Sequence, residues 1–301
     1  MPSHLNNLKL RARIIQAIRS FFETRGFLEV ETPLRIPANA PEEHTEPLRS
    51  GDLFLQTSPE LCMKRLLCRG HDKIFQICRC WRGDERGSRH IPEFTMLEWY
   101  RSRSDYEALM KDCEQLLLHV SKSCFSSLTV CYESINIALD EVFTRVSVRD
   151  AFRKYTDVTM EEAVGDGSFD EIMVTRIEPA LVLGKPVLLL DYPIEMAALA
   201  RPKPGDPAVA ERFELYAGGM ELANGFSELN DPVEQRLRFL EANQRRSSNG
   251  LPPLPVPEPF LGELADMPPS AGIALGVDRL VMLFAGATQI DDVIAFTPEE
   301  L

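Results

Sequence analysis

The residues best suited to chemistry lie between Ile74 and Arg101, in the run IFQICRCWRGDERGSRHIPEFTMLEWYR. Two β-like segments, IFQICRCWR and FTMLEWY, flank a charged, Gly-containing loop, the pattern of a long hairpin. Side chains alternate faces along a strand. Phe94, Glu98 and Tyr100 therefore share one face, and Arg82 closes the first segment. A guanidinium can clamp phosphate or carboxylate oxygens bidentately, an aromatic plane can cover a base, and a carboxylate beside a phenol suits an ammonium group. The loop adds Asp84, Glu85, Arg86, Arg89 and His90. A hairpin whose charges simply face water is the plainer reading. Three arginines and a histidine beside carboxylates favour a nucleotide site.

Three other segments carry groups of the same kind. In ELANGFSEL, Leu222, Asn224, Phe226 and Glu228 alternate onto one strand face, with Glu214 upstream. Glu221 has the opposite parity and reaches that face only through a bulge. A solvated face is the alternative, but magnesium on a triphosphate needs only one or two protein carboxylates. GIALGVDRLVMLFAG reads as a Gly-punctuated strand followed by a helix opening near Asp278. Gly272 and Gly276 would let a ligand approach the backbone, and Arg279 in the first helical turn faces the same pocket. In LFLQTSPELCMKRLLCRG a strand breaks at Pro59 before a helix, with Ser58 available as N-cap and Glu60 in the first turn.

The elements that must position these groups are legible in outline. Leu8 to Arg25 carries Ile14, Ile15, Ile18, Phe21 and Phe22 at helical spacing and ends at Gly26, before a short strand, FLEVETP. Ser104 to Ser121 is an amphipathic helix without chemistry, and KPVLLLDYP is a buried strand. DPVEQRLRFLEANQRRSSNG is a helix, and LPPLPVPEP a rigid extended connector. A chain of 301 residues can bury one large core, with or without an insertion. No apolar run is long enough to span a bilayer and no signal-peptide core opens the chain, so a cytoplasmic protein without membrane contact is expected. A net charge of −13 argues against a broad nucleic-acid surface, yet leaves room for a local basic pocket. The seven cysteines form no C-x-x-C pair and are expected as reduced thiols rather than zinc ligands.

The string RH-x-PEFTMLE-x-Y, preceded by R-x-D/E, resembles motif 2 of class II aminoacyl-tRNA synthetases, in the form seen in lysyl-tRNA synthetases. The N-terminal helix and strand resemble motif 1, which builds a dimer interface around its proline, and GIALGVDRLVML resembles motif 3. Three motifs in order across nearly the whole chain imply an α+β class II synthetase catalytic fold. Its central, mostly antiparallel sheet would be flanked by helices, in a single domain over 1–301 with an insertion at about 122–185. The resemblance implies ATP and Mg2+ as cofactors and a homodimer. It also implies catalytic roles for Arg82 and Arg279, with Arg82 on the α-phosphate and Phe94 stacking adenine against Arg279. Gly83, Asp84, His90, Ile91, Glu221, Leu222 and Gly276 would complete the ATP site, and Glu214, Glu221 and Glu228 the metal environment. Ser58, Pro59, Glu60, Glu98, Tyr100, Asn224, Phe226, Glu228 and Ala274 would hold a lysine-like substrate.

Three positions depart from the lysyl-tRNA synthetase pattern. Asp84 stands for a more familiar glutamate, Ile91 for a frequent asparagine, and Ala274 for glycine, as in the stand-alone paralogues that ligate lysine to elongation factor P. One methyl on a pocket wall alters discrimination by about 1–3 kcal/mol. The motif 1 helix begins within the first ten residues, so no anticodon-binding OB-fold domain is expected, and no tRNA. The family then implies elongation factor P as partner, receiving activated (R)-β-lysine or, less efficiently, lysine. An isolated synthetase core acting on tRNA or a small molecule, and a non-catalytic lysine sensor, are the rival readings.

Overall fold

Eight strands align into one sheet in the computed structural model, which describes residues 4–83, 85–125 and 127–301. In chain order they are β1 (Leu28–Glu29), β2 (Lys73–Trp81), β3 (Glu93–Ser102), β4 (Thr144–Ser147), β5 (Val187–Leu190), β6 (Arg212–Ala217), β7 (Met220–Ser227) and β8 (Ser270–Gly276). The spatial order is β1-β2-β3-β8-β7-β6-β5-β4. The five inner pairings are antiparallel; only the edge pairs β1–β2 and β4–β5 are parallel. This is the mostly antiparallel α+β arrangement expected from the sequence. The charged hairpin is β2–β3, with Trp81 opposite Glu93 at its mouth.

Strand alternation divides the two faces. Leu97, Trp99, Phe213, Leu215, Ala271, Ile273 and Leu275 enter the main core, beneath α1 (His4–Glu23), α3 (Tyr106–Cys124) and α4 (Val277–Ala285). The apolar stripe of α1, Ile14, Ile18, Phe21 and Phe22, is fully buried; Phe22 stacks on Phe75 and packs against Trp99. Asp278, at the start of α4, accepts from the Thr95 backbone N–H at 2.7 Å and pairs with Arg11 of α1 at 2.6 Å. One buried carboxylate thus joins α1, β3 and α4, a cross-brace that fixes where Arg279 emerges.

α2 (Glu60–Cys68) covers part of the other face with the helix Glu258–Glu263. Between Thr129 and Ala180 lie a two-stranded hairpin, the edge strand β4 and several short helices; Val148–Leu181 packs a smaller core of its own against β5 and β6. KPVLLLDYP supplies β5, paired on both sides, which explains its unbroken apolar run. The seven cysteines are all unpaired, and no described helix is long and apolar enough to cross a membrane.

Candidate active site

Register turns the second face of the sheet into a grid. One row runs Glu214–Asn224–Ala274–Glu98–Gln76, and the next Arg212–Phe226–Gly272–Tyr100. Residues from three distant stretches of the chain are neighbours because antiparallel pairing sets them opposite one another. β6 and β7 slip register at Leu215/Tyr216: Ala223 faces Leu215 and Glu221 faces Tyr216, leaving Leu222 unpaired. This bulge puts Glu221 on the face of Glu214 and Asn224, as its parity required. Leu222, expected to share that face, is turned by the same bulge into the main core, although it still borders the cavity.

At one end of the grid lies a cavity of about 240 Å³, bordered by Arg82, Arg89, His90, Phe94, Glu221, Asn224, Ala274, Gly276 and Arg279. Arg82 and Arg279, from segments almost two hundred residues apart, open onto this one space. The Arg82 guanidinium carbon is 5.3 Å from the Phe94 ring centroid, and its buried Nε has no partner among the described residues. An orphaned, buried guanidinium donor is costly and suits an anionic ligand oxygen. Arg279 donates to the Glu221 carbonyl at 3.0 Å, to Glu221 Oε2 at 3.1 Å and to the Arg89 carbonyl at 3.3 Å. Its other NH2 approaches His90 Nε2 at 2.5 Å. Burial, then the Arg279 charge, lowers the His90 pKa, so a neutral imidazole accepts that bond. Gly83 is committed elsewhere: its N–H donates to the Glu46 carbonyl at 2.7 Å. Ile91 is buried in the core at the cavity wall, and Asp84 lies outside the described residues.

Beyond Asn224 and Ala274 the grid turns acidic. Glu98 is 1% exposed; it accepts from Ser58 Oγ at 2.6 Å and from the Tyr100 hydroxyl at 2.7 Å. Ser58 in turn accepts the Glu60 N–H at 3.0 Å, holding the start of α2 beside buried Pro59. Glu60, Glu98 and Glu228 are close electrostatic neighbours beside Tyr100, with Lys64 over the Phe226 ring between Glu60 and Glu228. Burial, with Glu60 as a neighbouring charge, pushes Glu98 up to about 8. Gly272 has a different purpose from the one its sequence suggested. A Cβ there would overlap the Tyr100 ring and Glu228 Oε1, so the close approach it permits is by the protein's own side chains. Gly276 meets nothing nearer than its own neighbour Arg279.

Of the three acids expected around a metal, Glu214 and Glu221 share a face and Glu228 lies apart. Glu214 accepts from Tyr192 at 2.6 Å, Tyr216 at 2.7 Å and Arg212 at 2.6 Å, with Glu221 across the bulge. Glu228 lies with Glu60 and Glu98, its Oε2 2.5 Å from Lys64 Nζ. No set of three His, Cys, Asp or Glu among the described residues is placed to hold a metal unaided; Glu221 and Glu214 could serve only an ion that brings its own phosphate ligands. Lys64 was missed as a site residue, because a lysine in mid-helix reads as solvated. Its one signal was Glu60 four residues earlier. Tyr192, Tyr216 and Arg212, which orient Glu214, carried no pattern at all.

A four-stranded core of motif hairpin, Gly-rich strand and bulged acidic strand, with two arginines over one cavity, defines a class II synthetase catalytic domain. A family profile for class II tRNA synthetases (D, K and N) matches residues 1–300, and the chain belongs to that family. Within it, the chain is 42% identical to the elongation factor P–(R)-β-lysine ligase of Erwinia tasmaniensis over 97% of this chain and 94% of the relative. The proteins of the same name from Enterobacter sp. strain 638 and Proteus mirabilis are each 40% identical, over 97% and 96% of this chain and 94% of each relative.

Proposed function

We propose that this chain is an ATP-dependent ligase that activates (R)-β-lysine, or L-lysine, as an acyl-adenylate and passes the acyl group to a lysine ε-amine of elongation factor P. The relatives' shared name supports the acceptor. The observation that carries the reading is the adjacency of two sites on one sheet face: Asn224 and Ala274, which border the cavity of Arg82 and Phe94, share a register row with Glu98 of the carboxylate cluster. A nucleotide phosphate at one end and an amine-bearing acid at the other would meet beside Arg82.

The amino-acid carboxylate attacks the α-phosphate, the α–β phosphoanhydride bond breaks, and pyrophosphate leaves. No protein nucleophile is required; positioning and charge neutralisation carry the step. Arg82 holds the α-phosphate and carboxylate, Phe94 and Arg279 sandwich adenine, and Arg279, Arg89 and His90 face the outer phosphates. Mg2+ would be held by Glu221 and Glu214 together with phosphate oxygens, and would supply further charge neutralisation there. Glu98, Tyr100 and Glu60 hold the substrate ammonium groups. In the second step the acceptor amine, deprotonated, attacks the acyl carbon and AMP departs. The enzyme works as a cytoplasmic homodimer, a reading supported by exposed Leu28 and Leu34 on either side of Pro33.

Lysine-dependent ATP–pyrophosphate exchange, measured with each isomer, tests the first step. Exchange with at least one isomer is expected; its absence with both would favour a non-catalytic sensor. Label from lysine appearing in tRNA and not in elongation factor P would reject the acceptor.

A further inference from the structure

The acidic end of the site contains a cation that none of the motifs accounts for. Lys64, one turn after Glu60 on α2, is fully buried. An ammonium out of water needs close partners. Its Nζ lies 2.6 Å from Glu60 Oε1 and 2.5 Å from Glu228 Oε2, and 5.0 Å from the centroid of the Phe226 ring. These partners come from the start of its own helix and from the end of β7, so a single side chain ties α2 to the sheet inside the substrate pocket. Glu98 has only the neutral donors Ser58 and Tyr100.

In the substrate-bound pocket, with the Glu98 proton displaced, Glu60, Glu98 and Glu228 ionised and Lys64 protonated, three negative charges less one positive leave two, in a place where only Glu60 retains appreciable exposure. Two is the number that the ammonium groups of a diamino monocarboxylic acid neutralise, the substrate's own carboxylate being directed toward Arg82. We infer that Lys64 is the internal counter-ion of the amine pocket, a positioning and specificity residue that fixes the Glu60 and Glu228 carboxylates and matches the pocket to a substrate with two ammonium groups. The inference rests on the diamino-acid reading of this site. Without Lys64, three carboxylates would crowd a dry space, which like charges resist, and Glu60 and Glu228 would lose the contact that aims them. The pocket would then hold room and charge for one additional cation.

The test is ATP–pyrophosphate exchange by wild type, Lys64→Gln and Lys64→Ala, with (R)-β-lysine, L-lysine and 6-aminohexanoate, which lacks the second amine. Gln is close in size and keeps a donor, so it guards against a variant that merely fails to fold. Both variants are expected to raise KM for the diamino acids by about ten-fold or more, as when one partner of a buried ion pair is removed. KM for ATP stays within about two-fold, because the nucleotide cavity is separate, and the preference for diamino over monoamino substrate narrows. Added ethylammonium, able to fill the space left in Lys64→Ala, lowers KM for the diamino acid again in that variant and not in Lys64→Gln. Unchanged diamino KM and selectivity in both variants would overturn the inference. So would parallel loss of thermal stability and of kcat without any rescue, which is the signature of a scaffold residue. Wild-type exchange supported by a monoamino acid and by neither lysine isomer would instead strike at the diamino reading beneath it.

Discussion

Glu98 offers the sharpest quantitative consequence. Its carboxyl, ordinarily at 4.5, is raised to about 8, first by burial and then by Glu60, so ionising it in the empty site costs on the order of 5 kcal/mol. The folded value lies above the ordinary one, so the group stabilises the ligand-free fold fully below about pH 4.5, and that contribution is lost as pH rises through about 8. A substrate ammonium needs the carboxylate, and must therefore displace a proton at neutral pH. From Glu98 alone the apparent KM for the diamino acid should fall about fifty-fold between pH 6 and pH 8, and Glu228, likewise raised to about 8 by burial, steepens the fall. Glu98→Gln removes both the charge and the titration. Its KM should fall less steeply than the wild type's, keeping only the share of Glu228, which burial likewise raises to about 8, and should stand about 10–100-fold above wild type at pH 8, the worth of a charge-assisted hydrogen bond. The two enzymes should converge near pH 6. Pyrophosphate exchange at fixed saturating ATP measures this directly, and calorimetry in buffers of different ionisation enthalpy counts the protons released. A wild-type KM that is flat from pH 6 to 8, or a Glu98→Gln enzyme that keeps the full wild-type slope, would refute the reasoning.

Gly272→Ala should displace Tyr100 and Glu228, costing about 1–3 kcal/mol of stability from overpacking and raising the amino-acid KM while leaving that for ATP in place; denaturant melts and exchange kinetics separate the two effects. Arg279→Ala should lower kcat/KM for ATP by about 10²–10³-fold, as for other donors aimed at developing charge, with a smaller change in lysine KM. Asp278→Ala, at the cavity wall, removes the carboxylate shared by the Arg11 guanidinium and the Thr95 N–H and should cost about 3–5 kcal/mol by urea unfolding.

The parts of this site that follow strand parity were legible in advance. Phe94, Glu98 and Tyr100 share a face because strand geometry leaves no other choice, and the opposite parity of Glu221 already demanded the bulge found at Leu222. Where that bulge turns Leu222 itself was not legible, since a bulge redirects its own residues as well as those beyond it. Pairing partners were equally hidden: nothing in GIALG says that Gly272 will sit against Tyr100 and Glu228. Lys64 escaped notice because burial of a charge is decided by its partners, and Glu228 lies 164 positions further along the chain. Edge strand β4 was unreadable within 122–185, being four residues long and paired in parallel with a distant segment.

The account as a whole is tested most directly by the intact mass of elongation factor P after incubation with the enzyme, ATP, Mg2+ and each lysine isomer. One added lysyl mass on a single acceptor lysine, absent when ATP is omitted, is the expected result. An unchanged mass with both isomers, from an enzyme that performs pyrophosphate exchange, would contradict the assignment of this acceptor.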